Sequence, residues 1–119
     1  MTTQEIANRL VELCRQGKNG QAIDELYHAD IVSVEAAGES REAKGLEAVK
    51  GKSEYFANNM EVHDMKISDP LVADSHFAVT MYMDATDKQS GKREAMTEVC
   101  LYEVNGGKIT REQFFYTVG

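Results

Sequence analysis

Glu98 stands apart from the other side chains able to move a proton because of what surrounds it. In Met96-Thr97-Glu98-Val99-Cys100 one carboxylate interrupts an otherwise uncharged, extended run. An apolar wall of Met96, Val99, Cys100 and Phe115 penalises the charged form and raises a carboxyl pKa. A carboxylate tuned in this way can remove a proton beside a carbonyl or, kept protonated, donate a hydrogen bond to an enolate oxygen. The structural counterpart is a glutamate paired with Arg111 across a sheet or facing a second copy of the chain.

Tyr102, Arg111 and Gln113, which share the face predicted for Glu98, carry groups suited to a ligand carbonyl or hydroxyl. Asp84, Arg111 and Glu98 on one face would form a carboxylate–arginine–carboxylate set suited to water attack on an epoxide. Rim or interface duty is the plainer role for each of these side chains. The histidines, His28, His63 and His76, lack the close spacing of metal ligands, so no metal and no cofactor is expected. His63, in an extended run, is a candidate pocket acid or base, with a structural histidine as the alternative. Cys14 and Cys100 have no evident His partner and read as buried free thiols of a cytoplasmic protein. Neither a phosphate-cradling nor a dinucleotide glycine motif is present.

These side chains need a scaffold, and the order of patterns supplies one. Thr2 and Glu5 form a capping-box pair, and Ile6, Leu10, Leu13 and Cys14 follow as one apolar helical stripe. A short helix carries Ala22, Ile23, Leu26 and Tyr27. A third runs from about Leu46 to Met60, with Leu46, Val49, Phe56 and Met60 on one side. Tyr55, Phe56 and Met60 suit either the core or a ligand wall. Strands are expected at Ile31–Glu35, Glu61–Val72, His76–Thr86, Lys92–Val104 and Lys108–Thr117, with Pro70 marking a bulge or edge. Helices first and a long antiparallel meander afterwards define an α+β fold in a single domain over residues 1–119.

A two-residue turn at Gly106-Gly107 pairs Asn105 with Lys108. Carried along the hairpin without interruption, that register puts Glu98, Cys100 and Tyr102 on one face with Arg111, Gln113 and Phe115. Glu112, Phe114 and Tyr116 then share the other face with Val99 and Leu101. A sheet half-apolar on both sides calls for helices on one face and a partner on the other, so a homodimer through the sheet is expected. With 13 Lys+Arg against 20 Asp+Glu, the net charge of −7 argues against nucleic acid or an anionic membrane as partner. No apolar run is long enough for a membrane span, and the N-terminus lacks the pattern of a signal peptide.

The chain resembles the nuclear-transport-factor-2-like superfamily, and within it the SnoaL-like branch. The resemblance is carried by Leu26-Tyr27-His28-Ala29-Asp30-Ile31-Val32-Ser33-Val34-Glu35, Lys44-Gly45-Leu46-Glu47-Ala48-Val49, Glu61-Val62-His63, Phe77-Ala78-Val79 and Gly107-Lys108-Ile109 through Glu112-Gln113-Phe114-Phe115-Tyr116. It implies a cone-shaped fold in which about three N-terminal helices pack in a curved, mostly antiparallel sheet around a pocket, commonly as a dimer. It also implies a pocket mouth near Glu35, which becomes a second catalytic candidate if a bulge turns it inward. The steroid-isomerase base matches Ala36, one residue beyond Glu35. Its first-helix tyrosine has no counterpart, and its late-strand acid falls near Glu98. The acid–base Asp of the polyketide cyclases meets only Phe115-Tyr116-Thr117. Fold does not settle function. Two readings stay open: a cofactor-independent isomerase or cyclase acting on a small apolar carbonyl compound, and a non-catalytic small-molecule-binding or dimerisation module. The expected pocket comprises Tyr55, Phe56, His63, Tyr102, Arg111, Gln113 and Phe115, with Glu98 and Glu35 as the acid–base groups.

Overall fold

A computed structural model describes residues 1–38 and 41–117. The capping box forms as its residues predict: Thr2 Oγ1 accepts from the Glu5 N–H at 3.1 Å, and Glu5 Oε1 accepts from the Thr2 N–H at 2.8 Å. It opens helix α1 (Thr3–Arg15), whose apolar stripe Ile6, Leu10, Leu13 and Cys14 is buried. Helix α2 (Asn19–Leu26) stops one residue earlier than the sequence suggests. Tyr27 has extended backbone (φ −89°, ψ 140°) and begins strand β1 (Tyr27–Val34) instead of ending the helix. The segment before the third helix also holds a short strand, β2 (Glu42–Lys44), and α3 follows as Leu46–Asn59.

The meander comprises β3 (Met60–Ile67), β4 (Leu71–Ala73), β5 (His76–Asp87), β6 (Arg93–Asn105) and β7 (Lys108–Phe115). Pro70, which has no N–H to donate, lies in the break between β3 and β4, so the expected strand Glu61–Val72 divides there. The sheet order is β2-β1-β7-β6-β5-β3, with β4 on β5; β1 and β7 run parallel and every other pair is antiparallel. This is the expected α+β fold, a curved, mostly antiparallel sheet packed on three helices. Ile6, Leu10 and Leu13 meet Phe77, Val79, Tyr102 and Ile109 in the core, where the Phe77 and Tyr102 rings stack at 4.7 Å between centroids. No helix among the described residues is long and apolar enough to cross a membrane.

The β6–β7 hairpin begins as its glycines dictate. Gly106 (φ 61°) and Gly107 (φ 78°) take the left-handed backbone of a tight turn, and Asn105 pairs with Lys108. The register then shifts. Val104 opposes Ile109, but Glu103 opposes Arg111, leaving Thr110 as an extra residue on β7. The Thr110 hydroxyl donates to the Glu103 carbonyl at 3.3 Å. Beyond this bulge every β7 side chain points to the face opposite the one an uninterrupted hairpin would give it. Glu112 and Phe114 therefore stand beside Tyr102 and Cys100, while Arg111, Gln113 and Phe115 stand beside Glu103, Leu101 and Val99.

Candidate functional site

The inner face of the sheet and all three helices enclose a cavity of about 470 Å³. Met81 and Met83 of β5 and Met96 of β6 form one apolar wall, and Tyr55 and Phe56 of α3 another. Into this space project Glu98 from β6, Glu112 from β7 and Glu35 from the end of β1, together with Lys52 of α3, the one ammonium among the described lining residues.

Glu98 is half-buried and accepts a weak hydrogen bond from the Cys100 thiol, 3.6 Å from Oε1. Burial pushes its pKa upward, the hydrogen bond from the Cys100 thiol opposes that rise, the negative charges of Glu35 and Glu112 add to it, and Lys52 opposes it least. Glu112 is 5% exposed. Its Oε1 accepts from Ser33 Oγ at 2.8 Å and its Oε2 from the Tyr27 hydroxyl. Burial raises its pKa too, although both donors and Lys52 favour the anion.

Lys52 joins the two ends of the site. Its Nζ donates to Ser33 Oγ at 2.9 Å, is ion-paired with Glu35 Oε1, and lies 5.0 Å from the centre of the Phe114 ring. The Tyr116 hydroxyl donates to the other Glu35 oxygen at 3.1 Å. Burial pushes the Cys14 thiol up to about 11 and the Cys100 thiol higher still, so both remain protonated at neutral pH and are poor nucleophiles. Both are unpaired.

The SnoaL-like domain model matches residues 1–116. The chain belongs to the SnoaL-like family. A solved structure from Mesorhizobium loti, provisionally named a SnoaL-like polyketide cyclase, is 41% identical and superposes with a TM-score of 0.93 over 98% of this chain and 100% of its own. A Catenulispora acidiphila protein with a ketosteroid isomerase-like fold, solved with trimethylamine, is 24% identical (TM-score 0.76, 99% of this chain and 88% of that one). An NTF2-like protein from Burkholderia thailandensis is 16% identical (TM-score 0.84, 98% and 92%). The last two show the shared fold. No curated protein matches the sequence.

In this SnoaL-like domain Glu98, Glu35, Tyr102, Tyr55 and Phe56 all line the cavity. Arg111, Gln113 and Phe115 do not: the bulge at Thr110 turns them to the outer face, where Arg111 opposes Glu103, not Glu98. Asp84 is also on that face, gripped by Arg93 at 3.0 and 2.8 Å, so the Asp84–Arg111–Glu98 set does not assemble. His63 lies exposed on β3, its Nε2 2.7 Å from Thr86 Oγ1. His76 lies 3.5 Å from Glu103. No group of three or more His, Cys, Asp or Glu among the described residues is arranged to hold a metal ion.

The same bulge brings in Glu112 and Tyr116, which an uninterrupted hairpin assigns to an interface. Tyr27 and Ser33 enter with them. Lys52 had a readable signal: it falls three residues after Val49 and four before Phe56, so the third helix's apolar stripe carries a lysine.

Proposed function

We propose that the cavity is the active site of a cofactor-independent isomerase or cyclase that moves a proton on a small, largely apolar carbonyl compound, with Glu98 as the acid–base group. The carrying observation is the setting of Glu98: a half-buried carboxylate among methionines, with a thiol as its hydrogen-bond donor. Its raised pKa brings it nearer to neutral pH, where a general base is most effective. Lys52 and Tyr116, both held on Glu35, are the donors positioned to receive a developing enolate oxygen. Glu35 is thus a holder of donors in this reading, and Glu98 the proton acceptor.

The test is incubation with a panel of small cyclic and aromatic ketones in D2O, following deuterium entry beside the carbonyl by NMR. Wild type incorporates deuterium into one chemical class, and Glu98→Gln lowers the rate by about 10²-fold or more. Equal rates for the two proteins would remove Glu98 from the chemistry. One observation favours the second reading, a non-catalytic binding module: Lys52 is already neutralised by Glu35. A ligand that raises the melting temperature without deuterium entry supports that module. We further propose a homodimer through the outer face of the sheet, where Val99, Leu101 and Phe115 are 42%, 38% and 47% exposed side by side.

A further inference from the structure

The polar side chains of the cavity form a directed chain. From the mouth inward, the Tyr116 hydroxyl and Lys52 both donate to Glu35, Lys52 donates to Ser33, and Ser33 donates to Glu112. Tyr27 donates to Glu112 from the far side. From Lys52 onward each donor already points at the next acceptor inward. Ser33 and Glu112 are both buried, and each Glu112 oxygen is occupied by a protein donor.

We propose that Glu112 is a second proton-carrying group of this cavity, loaded from the mouth through Glu35, Lys52 and Ser33. The step balances as a concerted shift. The Lys52 ammonium gives a proton to Ser33 Oγ as the Ser33 hydroxyl proton passes to Glu112 Oε1. One N–H and one O–H bond break, and a Ser33 O–H and a Glu112 O–H form. The neutral Lys52 amine then takes a proton from the Glu35 carboxyl, which solvent has protonated at the mouth. In the reaction proposed above, Glu98 takes a proton from carbon and Glu112 supplies one to the substrate. That use rests on the proton-transfer reading; the loading path does not.

The titratable groups around Glu112 come from every packed element. Glu35, just beyond β1, and Glu98 of β6 add negative charge, and Lys52 of α3 adds positive charge. Cys14 of α1, Tyr27 of β1, and Cys100 and Tyr102 of β6 are held neutral by burial. Glu112 is thus the innermost of three carboxyls and the one joined to Lys52 through a hydroxyl.

The test needs no substrate, so its outcome is independent of the ketone assay. The infrared carbonyl band of protonated Glu112 is identified by its loss in Glu112→Gln, and its shift on mixing with D2O is timed by stopped flow at mildly acidic to neutral pH. The shift in Ser33→Ala is expected to be at least about tenfold slower than in wild type, with Ser33→Thr restoring it. Lys52→Met, which leaves the Ser33 hydroxyl in place, slows it as well and serves if Ser33→Ala does not fold. An unchanged rate in the folded variants, or no protonated Glu112 band anywhere in that pH range, overturns the proposal.

Discussion

The stability of the fold carries the signature of Glu98. Burial raises its pKa above the ordinary 4.5. Below that value the group is protonated in the folded and unfolded chains alike and contributes no difference. As pH rises through the window between the two values, the unfolded chain releases its proton first, so folding loses stability until the folded value is passed. Glutamine has no proton to lose. Urea denaturation across this window should therefore show wild-type stability falling more steeply with pH than that of Glu98→Gln, with a residual fall from Glu112, whose pKa is also raised. Parallel profiles would mean that Glu98 is solvated. The contrast with Asp84 is direct: the Arg93 hydrogen bonds hold that carboxyl below its ordinary range, on the solvent side of the same sheet.

At the scale of elements, one residue decides what the last strand contributes. Thr110 is the extra member of β7. Deleting it would straighten the hairpin while leaving Arg111 opposite Glu103 and Glu112 opposite Tyr102, so each side chain keeps its face. Pairing Thr110 in line instead would put Arg111 opposite the buried Tyr102, and a buried, unpartnered guanidinium costs at least about 3 kcal/mol, against a typical total stability of about 5–15 kcal/mol; the bulge avoids that cost. Circular dichroism and thermal melting should find both the deletion variant and Thr110→Ala folded, each losing the Thr110–Glu103 hydrogen bond and no more than about 2 kcal/mol of stability; a largely unfolded deletion variant would mean that the bend at the bulge is itself required. This bulge also marks where the sequence stops being legible. The α1 capping box, the Gly106-Gly107 turn and the succession of helices and long strands were readable because each rests on local sequence chemistry. The Glu98 setting was readable in part: Met96 and Cys100 share its face, but Val99 and Phe115, expected beside it, stand on the outer face. The face assignments of Arg111, Gln113 and Phe115 were not readable, because a bulge within Ile109-Thr110-Arg111 leaves no Gly or Pro as a sign. Lys52 went unseen for another reason: a lysine on a helix ordinarily points to water, and its partners Ser33 and Glu35 are distant in sequence.

At the scale of the whole molecule, the sheet has two unlike faces: one closes on the helices and cavity, and the other presents Val99, Leu101 and Phe115 to solvent. Stable interfaces bury about 800 Å² per partner, and their apolar centres tolerate charge poorly. Sedimentation velocity should therefore show a dimer for wild type and a folded monomer for the double variant Leu101→Lys, Phe115→Glu. A wild-type monomer at micromolar concentration would remove the dimer proposal. The parallel pairing of β1 with β7 has a consequence for how the chain reaches this state. Ser33 and Glu112 are neighbours across that pairing but 79 positions apart along the backbone. The α1 helix and the β5–β6 hairpin can form from local contacts, whereas the polar chain of the cavity requires the strand pairing most distant in sequence among the described residues. A chain with its helices and central hairpin in place but β1 and β7 unpaired would therefore have an open, unwired cavity.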